Sequence, residues 1–150
     1  MVFFGNTSNV IQSRILDISK LKRGSFPFSY LGITFITSRL RSMDCKRLVE
    51  AIMTRIQAWT SKHLSFAGRL QRITSVLNSM KQYWCMNFVL PKQVLQDCDE
   101  LLRRFLWFGT SNTKTSGKVR WSMVCRPKEK GGRGLRNSNE VNKATMLSIL

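Results

Sequence analysis

The chain has 150 residues and a mass of 17.4 kDa, room for one domain with a proper core but not for a multidomain enzyme. A hydrophobic fraction of 43% excludes wholesale disorder. Twenty-five Lys and Arg against eight Asp and Glu give a net charge of +17 at pH 7 and a pI near 10.8, which points to a polyanionic partner.

In chain order, Val2-Phe3-Phe4-Gly5-Asn6 begins as a strand-forming run. It lacks the cationic start and long apolar run of a signal peptide. The first 43 residues are basic and poor in acid, as organellar transit peptides are. Phe26–Ile36, however, is aromatic and β-branched and reads as folded structure. Between these runs, Ser8–Lys20 carries Val10, Ile11, Ile15, Leu16 and Ile18 and reads as a short helix. A strand–helix–strand unit is expected.

From Ser42 the spacing is helical, with Leu48, Val49, Ile52, Ile56 and Trp59 on one stripe. Ser65 is a suitable N-cap for the next helix. There Phe66, Leu70, Ile73, Leu77, Met80 and Trp84 alternate four- and three-residue steps, while Arg69, Arg72 and Lys81 fall on the polar side. Pro91 suits the first turn of a third helix. Its apolar side is Val94, Leu95, Cys98, Leu101, Leu102, Phe105 and Leu106, and Gly109 is its stop. Residues 110–118 form a polar loop, Val119-Arg120-Trp121 a short extended piece, and a last amphipathic helix begins near Asn139 and still runs at Leu150. No stretch approaches the roughly 18–20 apolar residues of a membrane span. The apolar stripes are core-like and the charges dispersed, which favours nucleic acid over a membrane surface.

Few groups here suit catalysis. Two-metal nucleotidyl transfer needs carboxylates converging on the ions, and the one acidic cluster, Asp97-Cys98-Asp99-Glu100, would fan around a helix. Cys45, Cys85, Cys98 and Cys125 form no CxxC pair, and His63 is the sole histidine, so reduced thiols are expected rather than a zinc site. Gly131-Gly132-Arg133-Gly134 lacks the Lys-Ser/Thr pair of a phosphate loop, and reads as a turn or as a basic loop touching a phosphate backbone. Trp59 and Trp84 lie on apolar stripes and read as core; Trp107 and Trp121 flank the polar loop, where core packing and base stacking are equally open. Arg69 and Arg72, three apart, share a helix face and could straddle neighbouring phosphates.

The stretch from Trp59 to Trp84, with Leu64-Ser65-Phe66-Ala67-Gly68-Arg69-Leu70 inside it, is very similar to the region after the catalytic palm in plant non-LTR (LINE-type) retrotransposon reverse transcriptases. Val2-Phe3-Phe4-Gly5 resembles the end of that family's Lys-Ser palm strand, without the Lys-Ser. Tyr30-Leu31-Gly32 resembles its palm–thumb signature near the primer grip. Phe88-Val89-Leu90-Pro91, Phe105-Leu106-Trp107 and the run from Trp121 through Cys125 to Pro127–Leu135 continue in the family's order.

The resemblance implies a mainly α (α+β) fold. Residues 1–40 would be a small β-containing palm remnant, 41–110 a helical thumb-like bundle, and 111–150 a truncated basic connection segment. Tyr30 and Gly32 would lie near the primer, Arg69 and Arg72 would face the duplex, and Arg133 is a further nucleic-acid contact. The family's Asp-Asp motif lies upstream of this sequence. The Mg²⁺ of the parent RNA-directed DNA polymerase therefore has no ligands here, and the isolated chain is expected to be non-catalytic, with no catalytic, metal or cofactor residues. Expected partners are RNA–DNA or RNA duplex held through phosphates, with a palm domain in trans, and no membrane or small-molecule ligand. The expected location is intracellular, nucleus or cytoplasm. The alternatives are a non-functional pseudogene product, or a basic helical nucleic-acid-binding protein unrelated to polymerisation.

Overall fold

A computed structural model describes residues 1–60, 63–109 and 119–147. Among them the chain is mainly α, with one two-stranded antiparallel sheet, and divides into the units Met1–Arg39 and Leu40–Leu150. The polar loop 110–118 and residues 148–150, where the last helix was expected to continue, lie outside the described residues.

In the first unit, aromatic packing replaces a layered core. Phe3 stacks on Phe28 at 4.1 Å between ring centroids, Phe28 on Phe35 at 5.0 Å, and Phe26 tilts against Phe3 and Phe28. Gly24 lets the Phe3 ring approach, since a Cβ there would lie 2.4 Å from it. The expected strand–helix–strand unit is only partly formed. The Val2–Gly5 run contributes one parallel bridge, Val2 to Arg23, and no full strand. The Phe26–Ile36 run is not one strand but a hairpin, β1 (Phe28–Tyr30) and β2 (Ile33–Phe35), with Tyr30 opposite Ile33. Leu31 and Gly32 both have positive φ, 50° and 80°, the combination of a two-residue hairpin turn that follows the twist of its strands.

Helix α1 (Asn9–Ser19) forms where expected, but with its apolar side outward: Val10, Ile11, Ile15 and Ile18 are exposed, and Gln12 is its buried residue.

The second unit is built by helical periodicity. Helix α2 (Lys46–Thr60) buries Leu48, Ile52, Ile56 and Trp59. Helix α5 (Lys92–Phe108) starts after Pro91 and buries the seven residues of its expected apolar side. It ends at Gly109, φ 74°, whose N–H donates to the Phe105 carbonyl at 2.9 Å. Each aliphatic side chain buried this way contributes roughly 1.5–3 kcal/mol.

The expected Ser65–Trp84 helix has a wide turn in the middle. Helix α3 (Phe66–Arg72) passes into a π-turn (Ile73–Leu77) and then into α4 (Asn78–Asn87). The Asn78 N–H donates to the Ile73 carbonyl, five residues back. Repeated four-residue steps drift around an ideal α-helix, and the wide turn cancels part of that drift. The buried line therefore runs Ile73, Leu77, Lys81, Cys85, with Met80 only half-buried. Lys81, expected on the polar side, is 2% exposed.

Trp121, expected in an extended piece, opens the short helix α6 (Trp121–Val124), and α7 (Ser138–Leu147) follows. Helix α5 packs against α2, α3 and α7, and α4 packs against α2 and α7.

Candidate nucleic-acid interface

Ser65 makes the α3 N-cap: its hydroxyl accepts from the Gly68 N–H at 3.2 Å. The helix thus fixed places Phe66, Arg69 and Arg72 at three-residue intervals. The Arg72 guanidinium carbon sits 5.3 Å from the centroid of the Trp59 ring. That Arg–Trp pairing contributes about 0.5–1 kcal/mol where exposed. Arg133 lies over Phe66 at 5.6 Å, and Phe66 in turn meets Trp107 at 5.4 Å.

Arg69 is half-buried. Its Nε is buried and has no hydrogen-bond partner among the described residues. It lines an open-mouthed cavity of about 470 Å³ with Thr60, His63, Ser65, Phe108 and Gly109.

The glycine loop reaches α3 by folding back on itself. The N–H groups of Gly131, Gly132, Arg133 and Gly134 donate to the carbonyls of Lys128, Pro127, Val124 and Arg126. Gly132 packs so closely on Arg126 that a Cβ would fall 1.9 Å from its carbonyl oxygen. All four backbone donors are engaged, so this is a turn rather than a phosphate cradle, and only the Arg133 side chain is left to meet an anion.

The structure thus brings three of the expected contacts, Arg69, Arg72 and Arg133, around one helix of the second unit. Tyr30 and Gly32 belong to the first unit, at the tip of its hairpin, where Tyr30 is 61% exposed. Of the tryptophans, Trp59 and Trp84 are core. Trp107 and Trp121 are half-buried against that core, each with its indole Nε1 buried and unpaired among the described residues.

The acidic cluster 97–100 is committed elsewhere. Asp97 accepts from the Gln93 amide at 2.9 Å, and Glu100 pairs with Arg104 one turn on. Asp99 is not a solvated helix-face acid: it accepts from the Ser138 hydroxyl and lies 3.4 Å from the Lys81 Nζ, which also bonds Ser138. This buried network ties α4, α5 and α7 together. The sequence did not reveal it, because Lys81 falls off the stripe until the π-turn is known. Among the described residues no three His, Cys, Asp or Glu side chains gather. The thiols are free, and burial pushes them up: Cys98 to about 12, Cys45 and Cys125 to about 11, Cys85 in the same direction.

Part of this chain has a relative. Over 114 residues it is 38% identical to a protein of Arabidopsis thaliana provisionally named a ribonuclease H protein. The match covers 76% of this chain and 18% of the relative's length. No family model and no solved structure matches the chain. No helix among the described residues is long and apolar enough to cross a membrane.

Proposed function

We propose that this chain binds nucleic acid duplex through backbone phosphates, as the thumb-like part of a non-LTR retroelement reverse transcriptase, and that alone it does not polymerise. The observation that carries the reading is the set of arginines around α3, two of them lying over aromatic rings and the third with an Nε unpaired among the described residues. Eight carboxylates cannot neutralise 25 cations, so much of the positive charge has no internal counter-ion. Duplex phosphates supply that counter-charge without base-specific contacts. The relative's name, which mentions ribonuclease H, supports a nucleic-acid-handling setting. The engaged acids support binding rather than catalysis: Asp97, Asp99 and Glu100 serve three different partners.

The test is fluorescence anisotropy with RNA–DNA and RNA duplexes of unrelated sequence, over a salt series. Binding that weakens steeply with salt and ignores sequence is expected. Absent or salt-insensitive binding would refute the reading. A primer-extension assay bears on the second part. The chain alone should incorporate nothing, and extension only after adding a separately expressed palm would place it within a working polymerase.

A further inference from the structure

The Arg69 cavity lies where three helical elements end or begin. Thr60 closes α2, Ser65 and Arg69 come from the start of α3, and Phe108 and Gly109 end α5. Among the described residues its polar side chains are all of anion-compatible type: a guanidinium, an imidazole and two hydroxyls. One hydroxyl is already turned to the protein, since Thr60 Oγ1 donates to the Ile56 carbonyl at 3.1 Å and lies 3.4 Å from the Gly109 carbonyl.

Arg69 differs from Arg72 and Arg133, whose guanidinium carbons lie over rings. Its Nε is buried with no acceptor among the described residues, an arrangement that costs free energy unless an acceptor arrives. The glycine at the cavity floor also has a steric reason: a Cβ on Gly109 would lie 2.9 Å from Arg69 Nη1. A side chain at position 109 would make the guanidinium tip shift, and at φ 74° it would also be strained.

We infer that this cavity is a discrete phosphate-binding site, in which Arg69 donates to one phosphoryl group from its terminal nitrogens, with His63 and the Ser65 hydroxyl at the rim. The inference rests on the duplex-binding reading above and adds a specific seat to it. The phosphate is either a strand's terminal monoester or an internal diester of its backbone, and the two are separable by experiment.

The direct probe is the ¹⁵N NMR signal of the Arg69 Nε–H, titrated with inorganic phosphate at constant ionic strength. A saturable shift is expected, and no shift overturns the site whatever the duplex results. Alongside it, two otherwise identical RNA–DNA duplexes, one 5′-phosphorylated and one 5′-hydroxyl, are compared on the wild type, Arg69→Gln, Gly109→Ala and Arg72→Gln. Thermal melts show that each variant is folded, and Arg69→Gln keeps the test open if the strained Gly109→Ala is not.

A preference of about tenfold for the phosphorylated duplex, lost in both Arg69→Gln and Gly109→Ala, identifies a terminal phosphate. Equal binding of both duplexes, weakened about tenfold in both variants, identifies an internal one. If Arg72→Gln weakens binding while Arg69→Gln and Gly109→Ala do not, the cavity proposal falls and the duplex reading stands. If no duplex binds at all, the duplex reading falls, and the phosphate titration alone decides the site.

Discussion

Lys81 shows how much one misplaced charge can organise. Its Nζ is held between Asp99 and Ser138 in the interior, and its side chain is 3% exposed. Removing one member of a buried pair leaves the other charge without its partner, at a cost of about 3–5 kcal/mol. Lys81→Met should therefore lower stability by about that amount, read as a fall in the urea midpoint at unchanged m-value. The double variant Lys81→Met/Asp99→Leu should recover much of the loss, because both charges then leave together. If the single variant is as stable as the wild type, the network is not a tie.

The thiols give a second test at the same scale. Burial raises the Cys98 pKa from 9.0 to about 12. The folded state then holds that proton more tightly than the unfolded chain, so its contribution to stability is complete below pH 9 and is lost as pH rises towards 12. Cys98→Val should flatten the alkaline limb of the stability profile. In the native wild type at pH 8, Cys98 should react with a disulfide reagent only as fast as the chain opens.

At the scale of elements, the hairpin turn carries a removable strain. Leu31 occupies a left-handed conformation at φ 50°, which costs a residue with a Cβ about 1–2 kcal/mol. Asn and Gly tolerate that conformation and are preferred at such turns. Leu31→Asn should therefore stabilise the hairpin by about 1 kcal/mol, while Gly32→Val should destabilise it. Thermal melts of the two variants would move in opposite directions.

The difference between what the sequence predicts and what forms is also clearest among the elements. The stripes of α2 and α5 are legible because each is an uninterrupted α-helix against one core, so burial repeats the sequence period. In the Ser65–Trp84 stripe Ile73, Leu77 and Trp84 are buried as the count predicts, but the π-turn moves Lys81 into the place that the count gives to Met80. The Phe26–Ile36 run misleads differently. Its residues favour strands, but Leu31-Gly32 in the middle turns the chain, a signal outweighed by the surrounding aromatics. That Arg69 and Arg72 lie on one helix was readable from spacing alone. The approach of Arg133 to Phe66 was not, since it depends on a loop folding back across a long sequence separation.

For the whole molecule the decisive quantity is where the surplus charge acts. A surplus of 17 spread evenly would attract any polyanion weakly, whereas arginines fixed at defined places make countable phosphate contacts. Counting is possible because each phosphate neutralised releases close to one condensed ion, so the slope of log K against log salt reports the number of contacts. Arg72→Gln and Arg133→Gln should each reduce the magnitude of that slope by about one, weaken binding to a similar degree on every duplex sequence, and cost the fold no more than the ring contact, about 0.5–1 kcal/mol. The two sites stack on different rings, Trp59 and Phe66, so their losses should add in the double variant. An Arg→Lys replacement keeps the charge but puts a compact ammonium in place of the planar guanidinium over the ring. It should therefore preserve the slope while weakening affinity at all salt concentrations. If the glutamine variants leave the slope where it was, the positive charge works as a diffuse cloud, and the ordering of arginines around α3 has no part in holding a duplex.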